Sequence, residues 1–352
     1  MLKKAKLYSI ADTYRKIIEC EVCENRCRIP LGKTGICGNY KNIDGSLYHV
    51  GYGKISAVES RPIEIKPLFH YWPNSTALTF SNLGCNFHCP WCQNYHLSFR
   101  RPRESDPVTS PEALVEKALQ SRDEGLCASF NEPTTNYDYL IDVFTFGHRK
   151  GLYATMVTNG YLTHKALEEL IEVGADGWSI DIKGCPQMRE KKILPHVDHE
   201  KVYRNAKRIL DLGGHVEMVY LVVTDANDHE ECYKWIIGKH VDMLGPEVPL
   251  HVNRYYPVHK WIMPPTPLEK LEKIADYARR EGIEHVYIGN TGQAEHETTR
   301  CPRCGKTLIV RRRYRVTYFD LDLDEGRYRC PRCGHHIPIR GRYISGKTIF
   351  LF

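Results

Sequence analysis

From about Thr76 onward, short apolar runs alternate with stretches of helical periodicity, and this alternation limits the available folds more than any other feature. The runs are 77–80, 127–130, 153–157, 177–182, 216–223, 250–254 and 285–288. They are almost continuously apolar, as strands of a parallel sheet covered on both faces should be. The stretches between them are roughly ten to fifteen residues long, the length of a crossover helix. Ser110-Pro111 places a cap and a first-turn proline. Thr163 precedes a face made by Leu167, Leu170 and Ile171. Thr266-Pro267-Leu268-Glu269 reads as a capping box. Repeated units of this kind imply right-handed crossovers and a barrel or an open doubly wound sheet. About six or seven units fall short of a closed eight-stranded barrel.

Cysteine usage supplies the chemistry. Eleven of the 14 cysteines fall into three clusters. Clustered thiols in a chain of this kind read as metal ligands, not as a disulfide framework. Cys85, Cys89 and Cys92 stand in a C-x3-C-x2-C loop. Three thiolates on a [4Fe–4S] cubane leave one iron open to another ligand. A zinc knuckle with a distant fourth ligand is the alternative. Cys20, Cys23, Cys27 and Cys37 form an N-terminal quartet able to close a tetrahedral zinc site or hold a second iron–sulfur cluster; the spacing does not separate these, and zinc is taken first. Gly45 lies between two β-like runs there, which predicts a hairpin. Cys301, Cys304, Cys330 and Cys333 form two C-P-R-C-G knuckles, the pattern of a zinc (Zn2+) ribbon, with a rubredoxin-like iron site as the minority alternative. Cys127, Cys185 and Cys232 stand alone and read as small buried hydrophobes. Cys185, after the fourth run, is the one of them that a radical-bearing thiol reading would choose.

The chain divides accordingly into a four-cysteine module and lead-in (1–75), an α/β unit (76–298) and the ribbon (299–352). The net charge of +6 is uneven: from Arg300 on there are 13 Lys/Arg against 4 Asp/Glu, a net of +9, which leaves −3 for the rest. The basic run 311–315, with Tyr314 and Tyr318, reads as a solvated hairpin edge, with phosphate contact as the alternative. The N-terminus has charge but no apolar run behind it, and no stretch reaches the length of a membrane span, which predicts a cytoplasmic protein.

In a parallel α/β unit, ligands collect at the C-terminal strand ends. Polar residues at those ends are Asn131 and Glu132, Thr158 and Asn159, Asp181 and Lys183, and, on the last strands, Glu217, His251, Asn253 and Arg254. A polar residue at a strand end is often a turn former or a cap. Here they recur at successive strand ends behind the cysteine loop.

The cysteine loop, with Trp91 before its last cysteine, resembles that of the radical S-adenosylmethionine (radical SAM) superfamily. The chain looks most like the pyruvate formate-lyase activating-enzyme branch and, within it, the AmmeMemoRadiSam-system enzymes. The resemblance rests on Gly35-Ile-Cys37-Gly38, Pro62-Ile-Glu-Ile-Lys-Pro-Leu-Phe-His70, Gly84-Cys85-Asn86-Phe87-His88-Cys89, Trp91-Cys92-Gln93-Asn94, Phe130-Asn131-Glu132-Pro133-Thr134, Thr158-Asn159-Gly160-Tyr161, Asp181-Ile182-Lys183-Gly184, Pro264-Pro-Thr-Pro267 and the terminal knuckles. It implies a partial (β/α)6 barrel. It also implies a [4Fe–4S] cluster on Cys85, Cys89 and Cys92 whose electron splits S-adenosylmethionine (SAM) into a 5′-deoxyadenosyl radical. Asn131-Glu132-Pro133 would take the place of the glycine-rich motif for the SAM amine, from which it departs in sequence. Asp181 and Lys183 would meet the amino-acid end of SAM, and His251 and Arg254 the adenosine. Residues 222–228 depart from relatives, which often carry a proline–glycine turn there. A ferredoxin- or flavodoxin-class reductant and a protein substrate follow as partners. RNA modification, a plain electron carrier and a ribbon that binds RNA are the other readings.

Overall fold

The computed structural model describes residues 2–347; the remainder of the ribbon division, 348–352, lies outside the described residues. All seven apolar runs are strands: Thr76–Ser81, Gly125–Ala128, Tyr153–Thr158, Ala175–Asp181, His215–Val222, Leu250–Arg254 and Val286–Gly289. They lie in chain order, and each neighbouring pair is parallel. An eighth strand, Ala57–Pro62, adds antiparallel to Thr76–Ser81 at one edge. Its Glu59-Ser-Arg centre is half exposed, so it lacked the apolar signature of the others.

The seven parallel strands are joined by six helices, which falls within the six or seven units read from the sequence. The sheet also takes an edge strand from residues read as lead-in. The edges Ala57–Pro62 and Val286–Gly289 are not paired with each other, so the sheet stays open.

Helices Pro111–Gln120, Tyr137–Arg149, His164–Glu172, His199–Asp211, Glu230–Leu244 and Leu268–Arg280 fill the connections. The Ser110 and Thr163 hydroxyls accept from the amides of Ala113 and Ala166, as read. Thr266 does not cap. It is buried, and its hydroxyl donates to the Val222 carbonyl at the end of a neighbouring strand.

The sheet curls around the segment 69–72. Phe69 meets His251 and Tyr287. The His70 ring lies 2.6 Å from the Tyr287 hydroxyl. Tyr71 donates to Asp176 and meets Tyr153 and His215. Three consecutive residues thus touch five adjacent strands near their N-terminal ends, which a flat sheet with strands about 4.8 Å apart would not allow.

The N-terminal module holds two three-stranded sheets. One contains the expected hairpin, Tyr40–Ile43 and Ser46–His49, turning at Gly45 with φ +78°. The C-terminal module docks under the closed end of the barrel. The amide of Trp72 donates to the Arg340 carbonyl at 2.8 Å, and that of Arg340 to His70 at 2.8 Å.

Candidate active site

Cys85, Cys89 and Cys92 lie on the loop that leaves the first parallel strand. Gly84 starts it with φ +80°, and a Cβ there would come within 2.2 Å of the Cys37 carbonyl, so only glycine admits this close approach. The chain returns through the Cys92 amide, which donates to Cys89. Trp91 is buried edge-on against Trp261, and the Lys260 amide donates to Pro90 at 2.9 Å. The loop 255–266 therefore lies over the cysteine loop. Burial pushes the Cys89 thiol up to about 12, against the pull of Lys183. Burial, then Glu132, pushes Cys85 well above its ordinary value. Thiols held this way ionise when a metal replaces the proton.

The strand-end residues do converge on this loop, in unequal roles. Glu132 is buried and fully engaged. Its Oε1 accepts from the Thr134 amide (3.0 Å) and from the hydroxyls of Thr134 (2.6 Å) and Thr158 (2.7 Å); its Oε2 accepts from the Asn159 amide (2.8 Å). Glu132 and Thr158 are thus a brace joining two strand ends. Asn159 Nδ2 donates to Asn86 Oδ1 at 2.7 Å and ties that brace to the cysteine loop. Asn131 Nδ2 donates to the Gly84 carbonyl at 2.6 Å, while its Oδ1 is buried with no partner. Asp181 accepts from Lys183. Burial opposes the Lys183 charge, yet Asp181 and then Cys89 raise it above its ordinary value. Lys183 has φ +53°, and Asn227 Nδ2 donates to its carbonyl at 3.2 Å. Asn227 belongs to the departing 222–228 loop, which braces the Lys183 turn instead of a proline–glycine turn.

Three sequence readings need correction. His251 is the second residue of its strand, and its Nε2 lies 2.7 Å from Glu217 Oε2 in the layer that closes the barrel at the strands' N-terminal ends. Glu217 also accepts from the His70 amide (2.7 Å) and meets His215 (3.0 Å). Burial disfavours its charge, yet these partners hold it well below the usual carboxylate range. Arg254 lies at the C-terminal strand end, as read, and its Nε donates to the Thr266 carbonyl at 2.8 Å in the covering loop. Cys185 and Cys232 are bonded to each other as a disulfide, 47 residues apart in sequence, and do not stand alone. Arg311 is fully buried. It donates to Phe69, Glu297 and Thr299 and stacks over Phe69 at 4.3 Å, so it does not belong to a solvated basic edge.

Sequence reasoning missed Lys66. It lies in the quoted 62–70 stretch, but a lysine there reads as surface. Its ammonium is buried, 4.4 Å over the Phe130 ring and 3.5 Å from the Ser129 hydroxyl, with no carboxylate partner among the described residues. Burial lowers its affinity for a proton. Phe130 itself has φ +71°, and Asn94 donates to its carbonyl. Asn86 and Asn94 were quoted only as parts of motifs; their side chains join the cysteine loop to the strand ends.

The other thiols differ in geometry. Cys301 and Cys333 sulfurs lie 3.5 Å apart, and Cys304 and Cys330 3.7 Å, with all four within 4.8 Å of one another. In the N-terminal quartet the Cys20 amide donates to the Cys27 carbonyl at 3.0 Å. Cys23 bridges to Leu162, and the Glu24 amide donates to Tyr161, directly after Asn159 and Gly160. Among the described residues, no helix is long and apolar enough to cross a membrane.

Residues 81–236 match the Radical SAM superfamily. An uncharacterized protein of Methanocaldococcus jannaschii is 36% identical over 329 residues, 93% of this chain and 96% of its own length. A second protein of that organism, provisionally named a glycyl-radical enzyme activating enzyme, is 26% identical over 147 residues, 40% of this chain and 57% of its own. Among solved structures, a domain of pyruvate-formate lyase-activating enzyme from Bacteroides vulgatus is 16% identical, with a TM-score of 0.40, over 47% of this chain and 99% of that one.

Proposed function

This chain belongs to the radical SAM superfamily, and on that premise we propose that it cleaves SAM reductively and abstracts hydrogen from a protein substrate. The observation that carries the reading is the set of groups gathered beside Cys85, Cys89 and Cys92: an orphaned acceptor (Asn131), a half-buried ammonium–carboxylate pair (Asp181, Lys183) and a braced turn (Thr158, Asn159). These fit the two groups that the family implies. The three thiols would hold a [4Fe–4S] cluster and leave one iron free. When bound, the cluster and SAM supply a carbon radical able to take hydrogen from an unactivated C–H bond.

The chain's own residues would bind and orient. Asn131 Oδ1 would accept from the SAM ammonium. Lys183 would meet the SAM carboxylate, with Asp181 keeping the lysine charged. Glu132 would act through Thr158 and Asn159, fixing the turn against the cysteine loop. The loop 255–266, anchored by Arg254, would exclude water from the radical. Lys66 would hold an anionic group of the substrate in the lumen, since a buried ammonium without a carboxylate awaits one.

A protein substrate is favoured by the rim. Tyr256, Ile262 and Met263 are exposed on the loop over the cysteine loop, and Ile262 is 81% exposed. An apolar rim suits a polypeptide better than a polyanion. The similarity to a protein provisionally named as an activating enzyme agrees. Assignment to the AmmeMemoRadiSam enzymes, the division at 75 and 298, zinc in the C-terminal ribbon, a ferredoxin- or flavodoxin-class donor and a cytoplasmic location complete the proposal.

The test is anaerobic reconstitution with iron and sulfide, reduction with dithionite and assay of 5′-deoxyadenosine from SAM. The control carries Cys85→Ala, Cys89→Ala and Cys92→Ala. Product from the wild type and none from the control supports the reading. A loaded cluster that binds no SAM and forms no product ends it.

A further inference from the structure

We propose that Cys20, Cys23, Cys27 and Cys37 hold a second iron–sulfur cluster, placed to pass electrons to the one at Cys85, Cys89 and Cys92. The inference rests on the reading above for its electron acceptor. The sequence alone left zinc and iron open at this quartet. The distances between sulfurs separate them.

A tetrahedral zinc ion with Zn–S bonds of about 2.3 Å sets its sulfurs about 3.8 Å apart. The C-terminal quartet has that spacing, with pairs at 3.5 and 3.7 Å. The N-terminal quartet does not. Among the described residues, no three of its sulfurs come within 4.8 Å of one another. Yet the four are neighbours, Cys20 lying within reach of the charge of each of the other three. Cys20 ends the strand Ile17–Cys20, and its amide closes the loop onto Cys27. A Cβ on Gly35 would lie 3.5 Å from the Cys27 sulfur, two residues before Cys37. A polynuclear cluster puts each thiolate on a different iron and so spreads the sulfurs wider than a single ion does. The sulfurs of Cys85, Cys89 and Cys92 show the same looser grouping, also outside 4.8 Å as a trio. Neither of the two N-terminal thiol sets has the close spacing of the ribbon.

The ligand count decides the role. Four thiolates close a cluster and leave no iron for substrate, which leaves electron transfer. Position agrees. The Cys37 carbonyl packs against Gly84, directly before Cys85. Asn39 Nδ2 donates to the Leu83 carbonyl at 2.6 Å, and Asn25 Nδ2 to the Asn86 carbonyl at 2.8 Å. The amide nitrogen of Asn86 has no oxygen partner, and the Cys23 thiol is its neighbour. One residue, Asn86, therefore separates a ligand of the first site from a ligand of the second. Cys27 and Cys37 are half-buried, so a donor protein can approach from outside.

The step balances simply. A low-potential one-electron donor of the reduced ferredoxin or flavodoxin class gives one electron to the N-terminal cluster. That cluster passes it to the second cluster and returns to its oxidised state. No bond forms or breaks in the transfer. Cleavage of the SAM carbon–sulfur bond then consumes the electron.

The test is metal analysis and electron paramagnetic resonance on the full chain, reconstituted anaerobically with iron, sulfide and zinc together. The Cys85→Ala, Cys89→Ala, Cys92→Ala variant is expected to keep iron and sulfide, about four of each per chain for a cubane, and about one zinc. Its reduced signal is expected to ignore added SAM. A variant that holds about two zinc ions and no iron overturns the cluster. A second variant, Cys20→Ser with Cys23→Ser, addresses the relay. Its 5′-deoxyadenosine rate is expected to fall about tenfold or more with reduced flavodoxin as donor and to recover with dithionite and a methyl viologen mediator. An unchanged rate with flavodoxin overturns the relay. Failure to make product in the wild type, with both clusters present, falls on the function proposed above and leaves the cluster standing.

Discussion

Asn159 Nδ2 donates to Asn86 Oδ1 at 2.7 Å, and through this bond the end of the third parallel strand holds the cysteine loop in place. On the other side, the Asn159 amide donates to Glu132. A single buried chain of hydrogen bonds therefore runs from one strand-end loop through a second to the residue after Cys85. Such chains fix geometry because breaking one member strands the next.

Glu132→Gln tests that chain. The carboxylate accepts from four donors, so an amide NH2 would be turned against at least one of them. The expected loss is about 1–3 kcal/mol of stability. Denaturant unfolding checks this. SAM-dependent 5′-deoxyadenosine formation should fall as well, while iron content stays at the wild-type level. Wild-type activity and stability together would remove Glu132 from the brace.

Lys66→Met should make the protein more stable. The ammonium is buried without a carboxylate, so its removal relieves a desolvation cost of about 1 kcal/mol or more at neutral pH. A thermal melt of the reconstituted enzyme reads the change. SAM binding should persist. A lower melting temperature would mark Lys66 as part of the scaffold instead of a group kept for a substrate anion.

Glu64 holds Asn74, which reaches the ribbon at Val316 and Ile344, and it gives the protein a pH signature. Its Oε1 accepts from the Asn74 amide at 2.7 Å, and its Oε2 is buried without a partner. Burial raises its carboxyl to about 7. Between the unfolded value near 4.5 and about 7, the folded state binds more protons than the unfolded state. Stability therefore falls as pH rises across that window and is flat in this group above it. The total is up to about 3 kcal/mol. Glu64→Gln should remove this slope, seen as urea midpoints at pH 5 and 7.5 that lie closer together than in the wild type.

Arg311→Met should separate anchoring from nucleic-acid binding. The guanidinium donates to two carbonyls and a hydroxyl beneath the barrel, and its loss should cost about 3–5 kcal/mol. Arg312→Met and Arg313→Met, both exposed, should cost less than about 0.5 kcal/mol. Differential scanning calorimetry distinguishes the two. Equal effects at all three positions would mean that Arg311 is no anchor.

The sheet was legible in the sequence because every parallel strand is buried on both faces, and burial writes itself as an apolar run. The edge strand Ala57–Pro62 was not legible, since half of it faces solvent. The cysteine sets were legible because metal-ligand spacing is local: Cys85, Cys89 and Cys92 lie within eight residues. Strand-end polarity likewise marked Asn131, Asp181 and Lys183. What the sequence could not carry is partnership between distant residues. Glu132 and Asn159, Cys185 and Cys232, Glu217 and His251, and Arg311 and Phe69 meet only when the strands lie side by side. His251 was assigned to the adenosine of SAM by the resemblance, and the closing layer beneath the barrel claimed it instead. Sequence determined which elements form and which residues are chemically able; tertiary packing decided which of them are free to act, because a buried polar group must spend its hydrogen bonds on whatever the fold sets beside it.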